Sequence, residues 1–359
     1  MTILYELANR VPEEDVDYLL SKGWFRFADF YVQGRFICLE ERISTMVNLR
    51  YPLNKYNYKK SHRRVINRVE KNFITQITDV HIDASLENLY TKFRKYFYGF
   101  ELKSLEMLIN GTDRDFQFNT KQLVVYDNDK PIAASFFDIG AKSIEGIICI
   151  YDDNYKKYGL GNYTIIKEIL YGMENGFQYY YPGYVTNNIS LMDYKLKVAT
   201  SEFMMGNSQW ESFHGQELID ELLVDLEVKT DTIIAALDKL SINYIKFLNP
   251  FYSYGYMNDL PDEFIKGVMP VIIFTRDRSK AYALEYIPEE KMFYFSLIVE
   301  AEGYEELMNI QDFSYYDDDL SEEKKGGYYL TKLYCYYNKY DASENLEELI
   351  ERHIKDNFL

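Results

Sequence analysis

Residues 144–184 read IEGIICIYDDNYKKYGLGNYTIIKEILYGMENGFQYYYPGY, and the fold class turns on this stretch. IEGIICIYD (144–152) is apolar and β-branched, as a buried strand requires. KKYGLGN (156–162) interrupts it with two glycines. Over 159–176 the residues Ile165, Ile166, Ile169, Leu170 and Met173 share one face of a helix, while Lys167, Glu168 and Glu174 point away. Gly176 ends that helix, and FQYYY (177–181) is a further strand that runs into Pro182-Gly183. The alternation predicts an α/β fold.

Outward from this stretch, QLVVYD (122–127), Asn128-Asp129 and PIAASFFDI (131–139) spell a hairpin. Residues 13–22 form a short helix with Val16, Leu19 and Leu20 on one side, stopped by Gly23. Trp24 to Leu53 is strand-like, broken at Gly34 and Pro52. KSHRRVINRVEKNF (60–73) is a basic helix opened by Ser61, with Val65, Ile66 and Val69 as its apolar side. A strand at 73–80 and helices at 85–97 and 101–110 follow. Towards the C-terminus, 230–240 and 343–358 have helical spacing. PVIIFTR, AYALEYI and MFYFSLIVE form an antiparallel meander, and 315–325 is a solvated loop.

A chain of 359 residues exceeds one ordinary core, so two or three domains are expected. Thirty-six Tyr and 23 Phe argue against disorder. No run approaches the roughly 20 apolar residues of a membrane span, and the start lacks the basic and apolar regions of a secretory signal. Cys38, Cys149 and Cys335 are odd in number and far apart, which fits reduced thiols in a cytoplasm. No Cys or His pair has the spacing of a structural zinc site, so no metal is expected. The net charge of −17 is uneven: residues 200–359 hold 32 acidic and 14 basic side chains, and residues 1–199 hold 25 and 26. The balances, −18 and +1, predict a boundary near 200–212 and leave the first half free to meet a polyanion.

Three groups of residues could carry chemistry. Lys156, Gly159, Leu160 and Gly161 stand where a strand turns into a helix, and amides at such an end point at an anion. The plain alternative is an ordinary strand-to-helix turn. YYYPGY (179–184) and ISLMDYK (189–195) are a strand end and a short helix; functionally, Tyr181 and Tyr184 would project into a cleft and Lys195 would meet a phosphate. Lys60, Arg63, Arg64 and Arg68 belong to a segment, Arg50 to Lys71, with eight basic residues and one acid, suited to RNA phosphates or simply to water.

Together these motifs resemble the arginyl/leucyl-tRNA–protein transferases over residues 20 to 210. The family carries a strand ending Y-D-P, S-L-G at a helix start, Y-Y-x-G-Y, then K-M-x-Y-K. Here Tyr151, Asp152, Leu160, Gly161, Tyr181, Gly183, Tyr184, Met192, Tyr194 and Lys195 fall on matching positions. GWFRF (23–27) and the basic helix resemble two upstream elements, and Glu202 and Trp210 match a late acid and Trp. The sequence departs at Gly159, Asp153 and Leu191, where the family has Ser, Pro and Lys, and only Cys38 remains of its clustered N-terminal cysteines.

The resemblance implies a GNAT-like mixed sheet flanked by helices. It implies an N-terminal segment with the basic helix at 1–75 and an acyltransferase core at 76–211; the acidic stretch at 212–359 has no counterpart in the family and is expected to be an additional α+β domain of unassigned role. The implied reaction is transfer of an amino acid from charged tRNA to a protein N-terminus, with Tyr151, Asp152 and Tyr184 at the chemistry and no cofactor beyond the aminoacyl-tRNA. No membrane or DNA is implied as a partner. Lys156-x-x-Gly159-x-Gly161 is also similar to the loop by which GNAT enzymes hold acetyl-CoA, so a CoA-dependent N-acyltransferase is the second expectation. A non-catalytic GNAT-like binding module is the third.

Overall fold

Pro182 and Gly183 govern where the central sheet opens. The computed structural model describes residues 3–5, 11–28, 30–39, 42–96, 102–111, 118–187, 192–206, 208–216, 218–249, 265, 267–275, 280–300, 328–329, 334–337 and 341–354. The chain divides into two units: Leu4–Gln33 with Met46–Glu217, and Met1–Ile3 with Gly34–Thr45 and Leu218–Leu359.

In chain order the elements begin with β1 (Ile3–Tyr5), α1 (Glu13–Ser21), β2 (Phe25–Phe27), β3 (Phe30–Gln33), β4 (Phe36–Leu39) and β5 (Arg42–Pro52). Next come α2 (Lys60–Glu70), β6 (Ile74–Asp79), α3 (Ala84–Arg94), α4 (Leu105–Asn110), β7 (Thr120–Asp127), β8 (Lys130–Ile139) and β9 (Ser143–Tyr151). A 3-10 turn (Asp153–Tyr158) leads to α5 (Leu160–Glu174), β10 (Tyr179–Tyr181), β11 (Tyr184–Thr186), α6 (Tyr194–Val198), β12 (Glu202–Met205) and β13 (Glu211–Ser212).

The larger unit's strands run β13-β12-β5-β10-β9-β8-β7-β6. The β7/β8 hairpin turns at Asn128, whose φ of 53° is one that Asn tolerates. α5 carries the chain from β9 to β10, which lie parallel. This is the strand, strand, strand, helix, strand order expected of a GNAT-like α/β fold. Strand alternation sends Ile144 and Tyr180 to one face, into a core with Ile166 and Ile169 of α5 and Ile66 and Val69 of α2. Tyr181 goes to the other face, with Val16, Leu19 and Leu20 of α1.

The smaller unit is organised by α7 (Glu221–Lys239), which buries Leu223, Leu226, Thr230, Ile233 and Leu237 at helical spacing. Asp220 caps it, accepting from the Leu222 amide at 3.0 Å while pairing with Arg35. Its apolar face meets β14 (Tyr244–Leu248) and the meander β15 (Val271–Phe274), β16 (Ala281–Ile287) and β17 (Met292–Glu300). α7 starts nine residues before the predicted 230. The predicted C-terminal helix is a short α8 (Leu346–Leu349) followed by a π turn, Ile350–Ile354. The remainder of that helix, residues 189–191 of ISLMDYK and the loop at 315–325 lie outside the described residues. Among the described residues, no helix is long and apolar enough to cross a membrane.

Candidate active site

β9 and β10 pair over only three positions, Ser143–Glu145 against Tyr179–Tyr181. Beyond them the chain follows β5 instead: Gly183, at φ +82°, accepts the Leu49 amide on its carbonyl at 3.0 Å, and Tyr184 sits opposite Asn48. Pro182 has no N–H to continue the ladder, and Gly183 accepts the left-handed turn without penalty. From Gly146 onward that edge of β9 has no strand neighbour among the described residues. A bulge sits at the same place, since Phe136 and Phe137 face Ile148 and Gly146 and leave Ile147 unmatched. The result is a wedge whose apex is Glu145 and Gly146.

Side chains from several elements meet on the α5 side of this wedge. Tyr194 is 39% exposed, yet its hydroxyl is pushed well above the tyrosine range, by burial first and then by Cys149, Tyr151 and Glu168. Cys149 shows the same combination, half-buried with its thiol raised to about 12 by burial. Lys195, also half-buried, is lowered to about 8 by desolvation and donates to the Tyr184 carbonyl at 3.0 Å. Tyr151 lies along the start of α5, where a Cβ on Gly161 would sit 3.9 Å from its ring.

Glu168 corrects the sequence reading. It was expected to point to solvent; instead it is 2% exposed and accepts a 2.5 Å bond from the Tyr180 hydroxyl. Met173, expected inside, is exposed. Burial raises Glu168 to about 7 against the opposing influence of the Ser135 and Tyr180 hydroxyls. A Cβ on Gly146 would fall 2.5 Å from the Tyr180 hydroxyl and 3.3 Å from Glu168 Oε2, which explains a glycine mid-strand. That glycine was the one signal in the sequence for a close approach. Glu145, equally unforeseen, is 2% exposed on the opposite face and accepts the Arg26 amide at 2.7 Å.

The remaining predicted residues are dispersed around this centre. Asp152 is buried and occupied: burial pushes its carboxyl up, but Lys130 at 3.0 Å and Asn154 overcome that and hold it below the carboxylate range. Lys156 is exposed and pairs with Asp153. Gly159, at φ +73°, opens α5 with no neighbour among the described residues within 4 Å of where a Cβ would be, and Leu160 is buried beneath it. Tyr181 packs edge-on against Trp210, while the Tyr184 ring lies 5.5 Å from Phe25. Met192 is half-buried just ahead of α6. Lys60, Arg63, Arg64 and Arg68 are all exposed on α2, and Arg68 donates to the Lys157 carbonyl at 2.9 Å, tying the basic helix to the turn before Gly159. α2 begins at Lys60 without a side-chain cap, so Ser61 does not open it.

The family described as "Arginine-tRNA-protein transferase, C terminus" matches residues 54–205. An aspartate/glutamate leucyltransferase of Campylobacter jejuni is 26% identical over 217 residues, 58% of this chain and 87% of that protein. Its counterpart in Helicobacter hepaticus is 24% identical over 213 residues, 55% of this chain and 84% of that one. Arginyl-tRNA--protein transferase 1 of Arabidopsis thaliana is 34% identical over 88 residues, 23% of this chain and 14% of that protein. Among solved structures, FemX overlaps with a TM-score of 0.35 at 8% identity, over 59% of this chain and 70% of that one. L-PGS from Bacillus licheniformis overlaps at 0.33 and 13% identity, over 60% of this chain and 56% of that one. A C-terminal domain of a lysylphosphatidylglycerol synthetase from Agrobacterium fabrum is matched over 47% of its length, at 0.32 and 10% identity, covering 39% of this chain. Over residues 54–205 this chain is thus similar to the arginine-tRNA-protein transferases, and over a longer span to the leucyltransferases.

Proposed function

We propose that this chain transfers an amino acid from charged tRNA to the α-amine of a protein N-terminus, with the wedge beyond Glu145 as the reaction site. The observation that carries the reading is the parting of β9 and β10 after three paired residues, with Tyr151, Tyr194 and Lys195 beside the opening. The match of residues 54–205 to the arginine-tRNA-protein transferase C-terminal family supports it.

The chemistry is aminolysis. The amine lone pair attacks the ester carbon, the bond to the terminal ribose oxygen breaks, and the proton shed by the new amide ends on that ribose hydroxyl. An α-amine has a pKa of roughly 7.7–8.0, so a sizeable neutral fraction exists near neutrality and no covalent enzyme intermediate is needed. The site has to hold the two reactants together and supply donors to the oxyanion. Tyr151 and Tyr194, whose hydroxyls stay protonated at any working pH, are such donors. Lys195 meets a phosphate near the acceptor end of the tRNA, and the exposed Lys60, Arg63, Arg64 and Arg68 take phosphates further along. Asp152 fixes the turn before α5 rather than touching the amine.

A second reading, CoA-dependent acyl transfer, is favoured by the uncrowded amide end of α5 at Gly159. One experiment separates the two. Purified protein is incubated with labelled aminoacyl-tRNAs, or with labelled acetyl-CoA, plus peptides of varied N-terminus. Label passing from tRNA to peptide is the expected result; label arriving only from CoA, or from neither donor, overturns it.

A further inference from the structure

Glu145 holds one oxygen that makes no hydrogen bond of ordinary geometry among the described residues. Its Oε1 accepts the Arg26 amide, but its Oε2 is buried without a hydrogen-bond partner. The Tyr31 hydroxyl, also without a partner of ordinary geometry among the described residues, comes close enough to this carboxyl to temper its rise. Buried carboxyl oxygens are normally satisfied, because leaving one bare costs about 1–3 kcal/mol. Glu145 also lines a shallow recess with Trp24, Phe25, Tyr181, Gly183 and Trp210, whose enclosed part holds a group about the size of one water. An orphan carboxyl oxygen, a one-atom recess and walls of aromatic rings together fit a primary ammonium group, which donates to the acid while its charge faces the rings.

We propose that Glu145 and this recess bind the N-terminal ammonium of the acceptor polypeptide, an assignment that rests on the transferase reading above. Charge and strand alternation select the acceptor over the donor. The exposed arginines of α2, which suit a polyanion, belong to the α5 face, where Lys167 pairs with Glu70. Glu145 and Tyr181 lie on the α1 face, and their strands part at this point. An amine held at Glu145 therefore stands at the apex of the wedge, across the sheet from the aminoacyl ester. Giving one proton to the Glu145 carboxylate leaves the amine neutral, and the parting of β9 and β10 is its way through to the carbonyl it attacks.

The test measures binding to the full chain of one peptide in two forms, with a free and with an acetylated N-terminus. Wild-type protein is expected to prefer the free amine by roughly tenfold, the scale of one charge-assisted hydrogen bond. Glu145→Gln keeps an acceptor for the Arg26 amide and is expected to erase the preference while leaving affinity for aminoacyl-tRNA unchanged. Should Glu145→Gln fail to fold, Trp24→Ala, which removes a wall of the recess, is expected to reduce the preference in the same way. Equal binding of both peptides by wild-type protein, or a preference that survives Glu145→Gln, overturns the proposal. Discrimination between the peptides without transfer of label from any tRNA overturns the transferase reading and leaves the ammonium recess standing. Transfer without discrimination does the reverse.

Discussion

Glu145 and Glu168 are two carboxyls buried to the same degree, on opposite faces of the sheet at one point of the wedge, and they differ in what completes them. Glu168 has its inward oxygen taken: Tyr180 donates to Oε2 at 2.5 Å, and Gly146 makes room for both. Glu145 has one oxygen on the Arg26 amide, and the other makes no bond of ordinary geometry among the described residues. Both are pushed up by burial, to about 7 and about 8. The difference teaches that burial and a raised pKa do not by themselves mark a binding group. A satisfied pair stiffens the fold, whereas an unsatisfied oxygen at a recess is left for a ligand.

That contrast can be broken in several ways. The largest effect is expected from Glu168→Ala, which strands the Tyr180 hydroxyl in the core and opens a cavity. Chemical denaturation should show a loss of about 3 kcal/mol. Glu145→Gln should cost far less stability, and a loss equal to that of Glu168→Ala would erase the distinction.

Next comes the pH dependence of melting. In the unfolded chain Glu145 titrates near 4.5 and in the folded one near 8, so between these values unfolding releases a proton. The stability tied to its protonated form is complete below about 4.5 and is lost as pH rises towards about 8. Glu145→Gln should flatten the melting-temperature profile across that window, and parallel profiles would contradict the assignment. Smaller again is the effect on the α5 face. Arg63→Ala and Arg64→Ala should each lower the salt slope of tRNA binding by about one, in a log–log titration. The smallest concerns Gly159→Ala. It meets no neighbour but must hold φ +73°, so a loss of about 1 kcal/mol is expected in thermal melts.

Much of the fold was legible in the residues because periodicity and punctuation are local. The β7/β8 hairpin follows from Asn128-Asp129 between two apolar runs, and α5 from its glycine ends and apolar spacing. The wedge was legible only through Pro182-Gly183 and the tyrosines around it. Glu168 was misread because a charge on an amphipathic helix normally faces water, and its partner Tyr180 is twelve residues away. Glu145 was invisible, since nothing adjacent in sequence says that Arg26, 119 positions earlier, would take one of its oxygens and leave the other. Asp152 was read as a group for the amine, but a carboxylate two residues before Asn154 is the ordinary device for starting a turn.

Two-substrate kinetics test the division of labour between the two faces most directly. Michaelis constants for aminoacyl-tRNA and for the acceptor peptide would be determined for wild type, Glu145→Gln and the Arg63→Ala/Arg64→Ala double variant. The expected result is a crossed pattern: the acid variant raises only the peptide constant, and the arginine variant only the tRNA constant. Both substitutions raising the same constant would contradict a wedge that receives its donor from one side of the sheet and its acceptor from the other.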